Sequence, residues 1–142
     1  MFPLVPPAVF DEVATPALAY MHPEARGIAK AVETGLVTVV ELTPGETTLA
    51  EGRLGETGLG RGELQVLAIA SERKLPALIF EHRGRNVARV LGARLVDLVE
   101  LIFAGTASDM LLRERLRTFA GLVNLRIADY EALVERIDKR DL

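Results

Sequence analysis

The sequence contains no cysteine and no tryptophan, and only two histidines and two serines. Without cysteine there is no disulfide framework and no thiolate zinc site. His22 and His82 form no His-x-x-x-His pair, which argues against a zinc hydrolase. Neither Ser71 nor Ser108 sits in a Gly-x-Ser-x-Gly elbow, so nucleophilic triads are set aside. A Gly-Lys-Ser/Thr loop is also missing, which excludes a nucleotide triphosphatase of that type. Aromatic residues make up 5% of the chain, a poor supply of stacking platforms for bases. No apolar run approaches the ~18 residues of a membrane span. The opening Met-Phe-Pro-Leu-Val lacks the basic region of a signal peptide. The expected location is the cytoplasm, with no membrane partner. A net charge of −3 gives no general pull towards nucleic acid, so any such contact needs a local basic patch.

What the chain does have is a core's worth of apolar residues, 49% of 142, with 26% charged. That composition predicts one globular domain over residues 1–142. Its organising stretch is Gly58-Leu-Gly-Arg-Gly-Glu-Leu-Gln-Val-Leu-Ala-Ile-Ala-Ser71, followed by Pro76-Ala-Leu-Ile-Phe-Glu81. Between Leu64 and Ala70 only Gln65 is polar, so this helix is expected to lie deep. The run Ala77 to Phe80 reads as a buried parallel strand ending on the carboxylate of Glu81. In open α/β sheets that edge is where ligands bind.

Other strands are expected at Phe2–Val5, Leu36–Leu42 and Ala93–Val96. Helices are expected over 8–13, 23–34, 83–91, 98–103 and 108–120, and a last one from Asp129 as N-cap. Gly35 and Gly92 stop the second and fourth of the helices over 8–91. Asp97 and Glu100 read as a capping box. Val87, Val90 and Leu91 make the inner face of the helix over 83–91. The stretch after Thr15-Pro16 reads as mobile, and Thr43–Thr57 as a loop or loosely helical lid. Helices alternating with short strands over 23–103 predict α/β with a parallel sheet, and residues from about 105 to 142 form a helical C-terminal extension.

Three acids carry the chemistry that remains. Glu12, Glu63 and Glu81 each sit at the end of a short element beside apolar residues. Converging carboxylates hold Mg²⁺ or Mn²⁺, which prefer oxygen ligands. Taken singly each has a plainer role: Glu63 favours the helix dipole, Glu12 lies on a solvated face, and Glu81 pairs with Arg83 or Arg85. Arg61, Arg83, Arg85 and Arg89 cluster around the same edge and would grip phosphates; alternatively Arg85 and Arg89 are a solvated helix face.

The segments Val5-Pro-Pro-Ala-Val-Phe-Asp-Glu-Val13, Gly58–Ala70 and Leu78-Ile-Phe-Glu-His-Arg-Gly-Arg-Asn-Val-Ala-Arg-Val-Leu-Gly92 occur in this order. Together, and through Asn124–Asp129, they resemble PIN-like proteins, a predicted nucleic-acid-binding group related to VapC-type toxin ribonucleases. The resemblance implies a three-layer α/β/α sandwich and Mg²⁺- or Mn²⁺-dependent endoribonuclease chemistry, in which four acids hold the metals while an activated water cleaves the phosphodiester. By position, Glu12, Glu63 and Glu81 match family acids. Glu81 stands where the family has Asp, and His82 replaces a second acid. The family's first strand, with its own acid, is expected before residue 1, so the fold is read as truncated at its N-terminus. Two functions follow. One is a toxin-type endoribonuclease whose metal ligands are Glu12, Glu63 and Glu81. The other is a catalytically silent module, without metals, that binds RNA or a protein partner such as an antitoxin. The apolar run Leu98, Val99, Leu101, Ile102 and Phe103 exceeds what one face can bury, so a homodimer is expected; the competing arrangement folds the C-terminal helices back over it.

Overall fold

Proline decides where the first four helices begin. In the computed structural model, which describes residues 3–79, 81–122 and 124–140, with the side chains of Ala19, Glu24 and Leu122 left aside, Pro7, Pro16, Pro23 and Pro44 each occupy a first helical position. There the missing N–H costs nothing and the fixed φ suits the helix. These helices are α1 (Pro7–Val13), α2 (Pro16–Met21), α3 (Pro23–Glu33) and α4 (Pro44–Glu51). Thr15 caps α2 by accepting from Leu18 N at 3.4 Å. Thr43 Oγ1 accepts from Glu46 N at 3.2 Å while Glu46 Oε2 accepts from Thr43 N at 2.8 Å, a reciprocal capping box. The stretch after Thr15 is therefore helical, and of the two alternatives for the segment 43–57 the structure shows the helical one. A 3₁₀ turn, Leu54–Thr57, completes that segment.

The organising helix is α5 (Arg61–Arg73), and its Leu67, Ala68, Ile69 and Ala70 are buried. It is followed by α6 (His82–Val90), α7 (Leu98–Ala104), α8 (Asp109–Leu122) and α9 (Ile127–Asp138). Gly35 and Gly92 follow the ends of α3 and α6 with φ of +79° and +73°, the left-handed conformation that suits glycine. In α6 the buried residues are Gly84 and Ala88, whereas Val90, expected inward, is 86% exposed.

Strand β1 (Leu4–Val5) pairs in parallel with β2 (Thr38–Val39), Leu4 opposite Thr38 and Val5 opposite Val39. Among the described residues, the strands expected at 76–80 and 93–96 meet only in one parallel bridge, Ala77 to Leu95, with Ala77 N donating to Arg94 O at 2.8 Å. The helix ends consume the rest. Leu75 N still bonds to Ala70 O and Ala93 N to Ala88 O, and Pro76 has no N–H to offer. The expected strand ends at Phe2 and Phe80 lie outside the described residues. A mostly helical chain with a short parallel sheet is an α/β fold of reduced sheet content.

The chain divides into two compact units, residues 1–95 and 96–142. In the first, Ala50, Leu54, Leu67, Ala68, Ala70, Ala77, Ile79 and Ala88 form the core. In the second, Leu112, Leu116 and Ile137 are buried, with Ile102, Phe103, Tyr130 and Leu133 packed against them. Ile102 and Phe103 of the apolar helix α7 thus find partners within their own unit, while Leu101 stays half exposed. Asp97 caps α7 through Val99 N and Glu100 N, at 2.9 and 3.2 Å. Glu100 itself pairs with Arg136 at 2.6 and 3.0 Å instead of closing the expected box. The Arg136 guanidinium also lies 4.0 Å from the centre of the Phe103 ring. Helix α9 starts two residues before Asp129, with Arg126 as N-cap and ion-paired to Asp129 at 2.7 Å. Among the described residues no helix is long and apolar enough to cross a membrane.

Candidate functional site

The first turn of α5 is where the sequence-predicted acids meet the rest of the fold. Gly60 is the N-cap, and Glu63 reaches back so that its Oε2 accepts from Gly60 N at 3.4 Å. A carboxylate there satisfies an otherwise orphan donor and complements the helix dipole. The other oxygen, Oε1, lies against Gly84 in the first turn of α6. A β-carbon at residue 84 would stand 2.9 Å from it and 2.8 Å from Ile79 Cγ2. On the α1 side, a β-carbon at Gly62 would meet the two carboxylate oxygens of Glu12 at 3.0 and 3.2 Å, and Val9 Cγ2 at 3.1 Å. Two glycines therefore let Glu12 and Glu63 come in close over the α5 and α6 backbones. Nothing in the sequence pattern marks Gly62 or Gly84 for this role beyond glycine standing in a first helical turn.

Replacing Gly84 with valine should destabilise the first unit by about 2 kcal/mol, because the branched side chain must displace the buried Ile79 and the Glu63 carboxylate together. Chemical denaturation measures this; a variant as stable as the parent would mean that α6 shifts without resistance.

Glu81 is the N-cap residue of α6, but its exposed side chain makes no cap bond, and it pairs with neither Arg83 nor Arg85. Its neighbour His82 accepts at Nε2 from Asn86 Nδ2 at 3.2 Å, and Asn86 Oδ1 accepts from Arg89 at 2.9 Å. Arg83 donates to Thr57 O at 2.7 Å and covers Gly58, whose φ of +74° is left-handed. Arg85 donates to Ile79 O at 3.1 Å. These two guanidinium groups tie loops to α6 while keeping their charge. Arg61 has no side-chain partner among the described residues. The structure thus brings Glu12 and Glu63 to the two sides of one helical turn. Among the described residues no group of three or more histidine, aspartate or glutamate side chains is placed to hold a metal ion.

The buried acid of this unit is another one. Glu46 is 1% exposed and receives Arg73 Nε at 2.6 Å and Nη2 at 3.1 Å, while the same Nη2 also reaches Glu41 O at 3.0 Å. The Arg73 guanidinium holds the Glu46 carboxyl below its ordinary range, assisted by the Thr43 N–H and opposed by burial. Sequence reasoning assigns Glu46 no role; Thr43-x-x-Glu46 is the signal that places it in a helical first turn.

A cavity of about 430 Å³ opens where α4 and α5 face each other, with Glu41, Glu51, Arg61 and Gln65 as its principal polar groups. A second hollow, about 380 Å³, lies on α8 and α9; there Arg113 pairs with Asp138, and Glu135 with Lys139.

No curated protein and no solved structure is significantly similar to this sequence. A family model for the PIN domain, in contrast, matches residues 3–127, a span that takes in the α1, α5 and α6 motifs and runs to the start of α9. A match over that much of the chain, with acids on α1 and α5 brought to one helical turn, means that the protein belongs to the PIN-domain family.

Proposed function

We propose that this PIN domain is a nucleic-acid-binding module that takes up RNA without a complete metal centre of its own. Membership of the PIN-domain family supports a nuclease-like, nucleic-acid-binding function. The observation that carries the silent reading is the donor set. Glu12 and Glu63 lie on the two sides of the first turn of α5, no group of three acid or histidine side chains is placed to hold a metal ion among the described residues, and His82 stands beside Glu81. Mg²⁺ and Mn²⁺ demand oxygen ligands in a near-octahedral arrangement. The acids present do not fit the four-carboxylate centre that the family resemblance implies. The relation to VapC-type toxin ribonucleases and the three-layer sandwich belong to this same reading.

A second reading, the Mg²⁺- or Mn²⁺-dependent endoribonuclease, draws on one specific feature: the carboxylates of Glu12, against Gly62, and of Glu63, against Gly84, flank the first turn of α5. Mg²⁺ bound through one or two carboxylates takes further oxygens from substrate phosphates.

The two separate in one set of measurements on the full chain. Millimolar Mn²⁺ should leave the melting temperature unchanged, since a ligand without a site confers no stability. A labelled RNA should bind with an affinity that falls as salt rises, and should remain uncut. Manganese-dependent cleavage that disappears in Glu12→Gln and Glu63→Gln would establish the second reading. Failure to bind RNA at low salt would sink the first.

A further inference from the structure

The cavity between α4 and α5 belongs to no role assigned so far, and its polar groups are unspent. Gln65 uses its Oε1 to accept from Ala8 N at 2.9 Å, which fixes the amide and leaves its Nε2 hydrogens without an internal partner among the described residues. The carboxylates of Glu41 and Glu51 and the guanidinium of Arg61 have no hydrogen-bond or ion-pair partner there either. The walls include Leu42 and Leu64. At about 430 Å³ the space lies within the roughly 300–1,000 Å³ of small-molecule sites. It is a concave site with two free acceptors, an amide donor and one cation, directly beside the turn that holds Glu12 and Glu63.

From this we propose that the cavity receives a single unstacked guanine of an RNA strand; the proposal rests on the RNA-binding reading above and names the base it selects. Guanine presents N1–H and N2–H₂ side by side, two parallel donors that match one carboxylate. Adenine, cytosine and uracil each place an acceptor beside the donor on that edge, and a carboxylate repels it. One of Glu41 and Glu51 takes the N1/N2 edge. The other accepts from the ribose 2′-hydroxyl, the group that distinguishes RNA from DNA. The Gln65 amide donates to O6, and Arg61 meets a flanking phosphate. The scarcity of aromatic residues fits a pocket that reads a base by its edge between aliphatic walls, without a stacking platform.

Fluorescence anisotropy with two labelled decamers, all-uridine and all-uridine with one central guanosine, tests this on the full chain. The guanosine-containing RNA should bind about tenfold tighter, the scale of one good bidentate base contact. Its DNA counterpart should lose most of that advantage. Glu41→Gln combined with Glu51→Gln should bind both RNAs equally, the guanosine advantage being lost, with an unchanged melting temperature. Arg61→Ala should weaken both RNAs together. In ¹⁵N spectra, guanosine 5′-monophosphate should move the Gln65 side-chain amide and uridine 5′-monophosphate should not. Equal binding of the two RNAs by the parent protein, or a guanosine preference that survives the double substitution, would overturn the pocket and leave RNA binding standing. An arginine amide that shifts Gln65 where the guanosine nucleotide does not would overturn it in favour of a cationic ligand. If neither RNA binds, the RNA-binding reading falls and the pocket falls with it.

Discussion

Replacing Arg73 with methionine should destabilise the first unit by about 3 kcal/mol at neutral pH, the scale for leaving one partner of a buried ion pair uncompensated. For a unit of this size that is a fall in melting temperature on the order of 10 °C. Glu46 is 1% exposed, and its carboxylate would keep only neutral partners on Thr43. Arg73 is less enclosed, at 30% side-chain exposure, so Glu46→Ala should cost less than Arg73→Met. The pH dependence has a definite sign. In the parent, Glu46 is held below its ordinary pKa, first by the Arg73 hydrogen bond. The stabilisation is therefore fully present above the unfolded value of about 4.3 and is lost as pH falls through the lower folded value. In the variant the buried carboxylate is better off protonated, so acid relieves it. Urea unfolding at pH 7 and pH 3.5 should show a wide gap between parent and variant that narrows in acid. A gap of the same width at both values would mean that the pair is not what holds α4 to α5.

Leu116→Ala should cost the second unit about 3 kcal/mol, and the loss should stay local. Leu116 is fully buried, and among the described residues only Leu112 and Ile137 accompany it as buried apolar residues in that cluster. Truncating it removes the transfer free energy of the side chain and leaves a cavity besides. A unit of residues 96–142 has little surplus to absorb this. Hydrogen exchange reads the result element by element. Amides of α8 and α9 should lose protection while those of α5, in the other unit, keep theirs. Equal loss of protection in α5 would show the two units unfolding as one.

The helices around α5 are legible because their signals are local. Gly35 and Gly92 stop α3 and α6 where the pattern places the stops, and Asp97 caps α7 with its own side chain. Helices α2 and α4 escape a reading by apolar periodicity because each is short and is defined by its Thr-Pro start. The sheet is overestimated for a related reason. Residues 76–80 and 93–96 have strand-like composition, but helix-end hydrogen bonds at Leu75 and Ala93 claim the backbone first. The candidate site is legible in its acids and not in its geometry. Glu63 declares itself as a first-turn carboxylate, whereas its contact with Gly84 depends on where α6 packs. Arg73 and Glu46 are 27 residues apart, and Arg83 and Thr57 are 26 apart; neither bond leaves a local trace. Of the open cavity only Arg61 is legible, as a phosphate-gripping cation, since Glu41, Glu51 and Gln65 share no motif with it.

Strands β1 and β2 contain two residues each. Far-ultraviolet circular dichroism averages over every peptide group, so ladders this short vanish under the helical signal. A spectroscopist given this protein unlabelled would file it with all-helical bundles, and a classifier trained on secondary-structure fractions would do the same. Kinship with the α/β world is carried here by the parallel direction of two brief pairings and by the order in which helices follow them, properties of connectivity that no bulk measure of backbone content can register.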